Sequence, residues 1–227
     1  MFEAKPIIVM HRANNKRLIK RALSIKVPYI EVDVDRDKSS KLILNHGPDY
    51  KFPQNIPNKI RAFLINVIVN RDPIFNALTL QEFMKLYSSE IGIWLDIKTK
   101  ISEELIKTLS KYKTAKPLII STGYYDEIRR YKQSLSNAII FLGNVDYHPP
   151  TPISLVNMIR DSEADGISIN HNYITRELVD YLHMNNYYVA AWTVNDSRRA
   201  IELIKLNVDI IITDIPEIIL RIIHGVN

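Results

Sequence analysis

The chain has 227 residues, enough for one large core, and its 46% apolar and 24% charged composition excludes a disordered or fibrous protein. It contains no cysteine, which excludes disulfides, thiolate metal sites and cysteine nucleophiles, so any metal must sit on oxygen or imidazole. A formal charge of +5 suits an anionic partner, but Lys and Arg are scattered and form no basic tract, which argues against a nucleic-acid surface.

Residues 1–10 lack the basic start, long apolar stretch and small-residue cleavage site of a leader, and no apolar run reaches membrane-spanning length. The expectation is therefore a cytoplasmic protein with no stable membrane insertion, peripheral lipid contact being left open.

In chain order, short β-branched runs alternate with amphipathic stretches, the pattern of repeated βα units around a parallel sheet. Strands are expected near 6–11, 29–34, 92–98, 117–121, 138–143, 166–170, 188–194 and 209–213. Helices are expected near 15–26, 79–88, 101–113, 124–134, 152–163, 174–185, 196–206 and 216–223. Ser102, Thr175 and Asp196 stand where helix N-caps belong, and Pro216 suits a first helical turn. Eight such pairs predict a closed (β/α)8 TIM barrel in a single domain spanning 1–227, with its active site at the carboxyl ends of the strands.

The regularity breaks once, at about 35–78, which is too long for an ordinary βα connection and reads as a rim insertion shaping substrate access. Within it, KLILNH predicts a small extra strand, and IRAFLINVIV at 60–69 a short helix or strand over the barrel mouth. Pro48, Pro53, Pro57 and Pro73 argue against one long element through the insertion.

The polar residues gather where a barrel would use them. Side chains on a strand repeat with period two, so Glu31 and Asp33 share one face, Asp96 and Lys98 share another, and both sets end apolar runs. His11-Arg12 closes an earlier apolar run and His46 a later one. Three carboxylates, an ammonium, a guanidinium and two imidazoles at one rim read as a divalent-metal site for a phosphate ester, with oxygen ligands suited to Mg²⁺ or Ca²⁺. Trp192 reads equally as a core aromatic or a substrate wall, and Asp214 as a cap of the last helix. His148, His183 and His224 receive no role.

The segments His11-Arg12, Ile30-Glu31-Val32-Asp33-Val34, His46, Leu95-Asp96-Ile97-Lys98, Ala191 to Asn195 and Val208 to Pro216 together resemble the glycerophosphodiester phosphodiesterase family over essentially the whole chain. The resemblance implies a metal-dependent phosphodiester hydrolase releasing an alcohol and glycerol phosphate. It also implies His11 and His46 as the acid/base pair, Glu31, Asp33 and Asp96 as metal ligands, Arg12 and Lys98 as phosphate clamps, and Trp192 on the substrate side. Departures from the family pattern are Ala13 for a glycine, Asn14 to Arg17 for a Pro-Glu-Asn-Thr segment, Gly47 for an aspartate and Asp96 for a glutamate. His46-Gly47 and Asp96-Ile97-Lys98 look closer to the related venom sphingomyelinase D type phospholipases. That leaves a lysophospholipid-cleaving enzyme forming a cyclic phosphate as one alternative, and a non-catalytic phosphate- or lipid-binding barrel as another.

Overall fold

A computed structural model describes residues 5–46, 57–71, 77–143 and 151–225. Gly47, Pro48, Pro53, Pro73 and His148 lie outside the described residues. The strands are β1 (Ile7–Met10), β2 (Tyr29–Arg36), β3 (Leu42–Leu44), β4 (Gly92–Ile97), β5 (Ile119–Thr122), β6 (Ile139–Leu142), β7 (Gly166–Asn170), β8 (Tyr188–Trp192) and β9 (Ile210–Thr213). The helices are α1 (Lys16–Ser24), α2 (Asn58–Leu64), α3 (Leu80–Tyr87), α4 (Ser102–Leu109), α5 (Tyr125–Ser134), α6 (Pro152–Ser162), α7 (Arg176–Met184), α8 (Ser197–Lys205) and α9 (Pro216–His224).

Eight parallel strands run in the order β1-β9-β8-β7-β6-β5-β4-β2, and pairing of β1 with β2 closes them into a (β/α)8 barrel. The extra strand β3 adds antiparallel to the outer end of β2, Val34 facing Leu44 and Arg36 facing Leu42. The apolar run at 60–69 resolves into α2 followed by a π-helical segment, Ile65–Val69.

Period two divides the barrel wall into two cores. Ile30, Val32 and Val34 of β2, with Ile93, Leu95 and Ile97 of β4, face outward into the layer shared with the helices. Val9, Tyr29, Trp94, Ile119, Phe141, Ala190, Ile210 and Ile212 point inward and plug the barrel. Trp94 and Phe141 stack with ring centroids 4.9 Å apart in this plug. Gly92 is required beside it, since a Cβ there would lie 2.6 Å from the Tyr29 ring. Because Tyr29 and Trp94 face inward, so must Glu31, Asp33 and Asp96, one and two pleats nearer the carboxyl end.

Thr175 and Asp196 cap α7 and α8 as expected, their side chains accepting from Leu178 N and Arg199 N, and Pro216 opens α9. Ser102 is a correction: it is the first residue of α4, whose cap position is Ile101 and carries no side-chain cap bond. The carboxylate of buried Glu127 on α5 does that work, accepting from Ile101 N at 2.8 Å, Ser102 N at 2.7 Å and Ser102 Oγ at 2.8 Å. Several returns from helix to strand use left-handed residues other than glycine, namely Lys26, Glu163, Asn186 and Asn207, which fits a chain with only six glycines.

Candidate active site

All eight expected site residues, His11, Arg12, Glu31, Asp33, His46, Asp96, Lys98 and Trp192, line one pocket at the carboxyl end of the barrel. The register places Asp33 directly beside Asp96 on β2 and β4, with Glu31 one pleat below Asp33. Ligand oxygens of Glu31, Asp33 and Asp96 all lie within 4.8 Å of one another. Glu31 and Asp33 are buried.

Lys98, just past β4, places its Nζ 2.9 Å from Asp33 Oδ1 and 2.5 Å from Asp96 Oδ2. Burial alone would lower the Lys98 pKa, but Asp33, Asp96 and Glu31 outweigh it and hold the ammonium above its ordinary range. Burial likewise pushes Asp33 up, yet Lys98, His46 and Arg12 prevail and hold its carboxyl below the usual carboxylate range. For Glu31 the pull of Lys98 and of the Arg12 N–H is too weak to prevail. Burial, then repulsion from Asp33 and Asp96, raises its carboxyl well above the ordinary value.

This set fits a hard divalent cation. Three acidic oxygens converge, and Asp33 Oδ1 is buried with only the ion pair to Lys98 and no aligned hydrogen bond, so it retains a lone pair for a metal. The supports of the triad are neutral. Asn14 accepts from Asp33 N at 2.9 Å and donates to Asp33 Oδ2 at 2.8 Å. Ser121 Oγ donates to Asp96 Oδ1 at 2.8 Å and accepts from Trp94 Nε1 at 2.7 Å, tying this carboxylate to the barrel plug.

Arg12 occupies a left-handed conformation, φ 50°, unusual for a residue with a Cβ and common where strain serves a site. Its backbone N–H thereby meets Glu31 Oε2 at 2.6 Å. Its Nε lies 3.8 Å from Asp33 Oδ2 and, though buried, makes no hydrogen bond among the described residues, which leaves a donor facing the pocket. Trp192 both lines the pocket and packs against the inner plug.

Asp214 is the second correction. The last helix has its cap position at Ile215 with no side-chain cap bond, and Asp214 instead accepts from His11 Nδ1 at 2.9 Å and Asn195 Nδ2 at 2.8 Å. A guanidinium nitrogen of Arg71 stands 2.6 Å from the same Asp214 oxygen. An ionised carboxylate only accepts, so His11 carries its proton on Nδ1 and presents Nε2 as an acceptor. Burial, helped by the Arg12 charge, lowers the His11 pKa although Asp214 and Asp33 raise it, favouring the neutral ring, and burial is also the main cause lowering His46. Asp214 itself is raised by burial but brought below the carboxylate range by His11, Asn195 and Arg71.

Sequence reasoning missed Asp214 as the partner of His11, Asn14 as the clamp on Asp33, and Asn70, whose side chain accepts from the His46 backbone N–H at 2.8 Å. Barrel closure held the signal for Asp214, since a residue ending the last strand must neighbour one ending the first.

A closed (β/α)8 barrel with this polar mouth defines a class of phosphoric diester hydrolases. A model of the glycerophosphoryl diester phosphodiesterase family matches residues 75–218, and the chain belongs to that family. It is 23% identical over 245 aligned positions to the glycerophosphodiester phosphodiesterase of Caldanaerobacter subterraneus, covering 97% of this chain and 98% of that one. Its fold is shared with an Oleispira antarctica phosphodiesterase solved with the product sn-glycerol-3-phosphate, at 18% identity and TM-score 0.77 over 97% of each chain. A Thermotoga maritima glycerophosphodiester phosphodiesterase matches with TM-score 0.70 and 18% identity, over 96% of this chain and 98% of that one. Among the described residues no helix is long and apolar enough to cross a membrane.

Proposed function

We propose that the protein hydrolyses small glycerophosphodiesters to an alcohol and glycerol phosphate in the cytoplasm, with Glu31, Asp33 and Asp96 holding Mg²⁺ or Ca²⁺. The observation that carries this reading is the gathering of three acidic oxygens within 4.8 Å of one another in the pocket that also holds both histidines. When bound, the cation supplies positive charge against the oxygens of the phosphodiester. Arg12, with its uncommitted Nε, and Lys98 clamp the same group as charge builds in the transition state. Neutral His11, fixed through Nδ1 by Asp214, takes a proton at Nε2 from the attacking hydroxyl, while His46 gives one to the leaving alkoxide. Trp192 walls the glycerol side.

The nucleophile is the substrate's own neighbouring hydroxyl, already in place for attack, so a cyclic phosphate forms first and water then opens it. Phosphorus NMR of glycerophosphocholine and lysophosphatidylcholine, with and without chelator, tests the assignment. Glycerol phosphate from the former, a transient cyclic species and silence in chelator are expected. Undiminished turnover by metal-stripped protein would remove the cation from the mechanism. Rapid turnover of a diester that lacks the neighbouring hydroxyl, with solvent oxygen-18 entering phosphate in one step, would remove the cyclic route.

A further inference from the structure

The rim insertion reaches both histidines through two consecutive residues, Asn70 and Arg71, which follow the π-helical segment. Asn70 is only 4% exposed. Its Oδ1 accepts from the His46 backbone N–H at 2.8 Å and from Asn14 Nδ2 at 3.2 Å, and its Nδ2 donates to Asn45 Oδ1. Arg71 turns away to the other side of the mouth, placing its guanidinium on the Asp214 oxygen that also accepts from His11. Arg71 has a left-handed backbone, φ 53°, and the carbonyls of Asn70 and Arg71 both accept from Asn15 Nδ2 at 3.2 Å. Asn15 is the N-cap of α1. The dipeptide is thus anchored by its main chain to the first βα turn while its side chains diverge toward the supports of the two histidines.

We propose that Arg71 is a positioning residue for the reaction, acting through Asp214 to hold the His11 ring in register, so that the insertion bearing His46 also orients the other histidine. The proposal rests on the assignment of His11 as a proton acceptor. Three donors, from His11, Asn195 and Arg71, surround the Asp214 carboxylate, and Arg71 alone of them comes from the insertion. With its guanidinium removed, the carboxylate is free to turn away from His11 Nδ1, and the ring loses the bond that selects its tautomer. As a stabilising contact the ion pair is minor, because side chains 31% and 21% exposed are partly screened by water. Its removal should therefore appear in turnover and in the imidazole before it appears in the melting temperature.

The test uses the full chain with added divalent metal, glycerophosphocholine as substrate, and the variants Arg71→Met, Arg71→Lys, Asp214→Asn, the double variant R71M/D214N, and His11→Ala. Arg71→Met and Asp214→Asn should each lower kcat by about tenfold with KM unchanged, as expected for contacting groups that act as a unit. The double variant should fall no further than Asp214→Asn alone, and Arg71→Lys should recover most of the loss. Ring nitrogen NMR of His11, which needs no turnover, should show one tautomer in the parent and two in Arg71→Met. Wild-type kcat with a single tautomer in Arg71→Met would overturn the proposal. So would additive losses in the double variant, or a change confined to KM, which would make Arg71 a substrate contact. Full activity in His11→Ala would sink the acid/base assignment instead, leaving the imidazole spectrum to decide whether Arg71 orders that ring. Should Arg71→Met melt well below the parent, Arg71→Gln, which keeps a polar side chain without the charge, carries the kinetic and spectroscopic comparison with the same expected losses.

Discussion

Replacing Glu31 with Gln should make the metal-free protein more stable while destroying its metal response. Glu31 is buried against Asp33 and Asp96, with ligand oxygens of all three within 4.8 Å. At an effective dielectric near 20, two unit charges 4.8 Å apart repel by about 3.5 kcal/mol, and Glu31 faces two such neighbours. Lys98 offsets part of this, but it is shared with Asp33 at 2.9 Å and Asp96 at 2.5 Å. Gln keeps an oxygen for the Arg12 N–H that Glu31 accepts at 2.6 Å, so the relief of repulsion is not cancelled by an orphaned donor. A net gain of about 1–3 kcal/mol corresponds to roughly 2–12 °C in melting temperature for a chain of this size. Differential scanning fluorimetry in chelator should show that rise. Adding Mg²⁺ or Ca²⁺ should lift the parent, by about 2.7 kcal/mol at a hundredfold excess over Kd, and leave Glu31→Gln unmoved. A variant that melts lower than the parent in chelator, or that keeps the full metal shift, would refute the placement of an uncompensated carboxylate at 31.

Glu127→Ala should cost about 3 kcal/mol, because it orphans two buried N–H groups at the start of α4, and calorimetry should find a drop of roughly 6–12 °C. A smaller change would mean that water or the free Ser102 hydroxyl replaces the carboxylate. Serine at Ile60, Phe63 and Ile68, which are 51%, 52% and 57% exposed on the insertion, should weaken use of acylated diesters more than of glycerophosphocholine. Equal responses to both substrates would assign these residues to packing. Asp214 has a depressed carboxyl, so the stability it contributes is present above its unfolded pKa of about 4 and lost as pH falls further. The stability gap between the parent and Asp214→Asn should therefore be constant near neutrality and shrink below about pH 4, as urea titrations at several pH values can read. A gap independent of pH in acid would remove the charge of Asp214 from the balance.

The barrel was legible because each strand carries a β-branched run, and the acidic triad because period two on β2 and β4 forces Glu31, Asp33 and Asp96 to the same face as Tyr29 and Trp94. What escaped depends on contacts between distant segments. His11 and Asp214 are 203 positions apart and meet only after closure. Asn14, Asn45 and Asn70 read one at a time as loop residues, yet they interlock around Asp33 and His46 with donors and acceptors that add no charge. Ser102 carried the local signature of a cap, but a carboxylate on the next helix outcompeted it. In each case the winning partner lies on another βα unit or across the insertion, which a local pattern does not contain.

Closure of the barrel also sets an order of assembly. β1 registers with β9 over four residue pairs and with β2 over two, so the strand bearing His11 is held chiefly by the strand synthesised last. During translation the acidic triad can come together once β4 has left the ribosome, whereas the imidazole at position 11 waits for Thr213 to bond its main chain and Asp214 its ring. A nascent or truncated chain is thus able to gather charge long before the ring at position 11 gains its carboxylate partner, which arrives only with the eighth barrel strand and the residue after it.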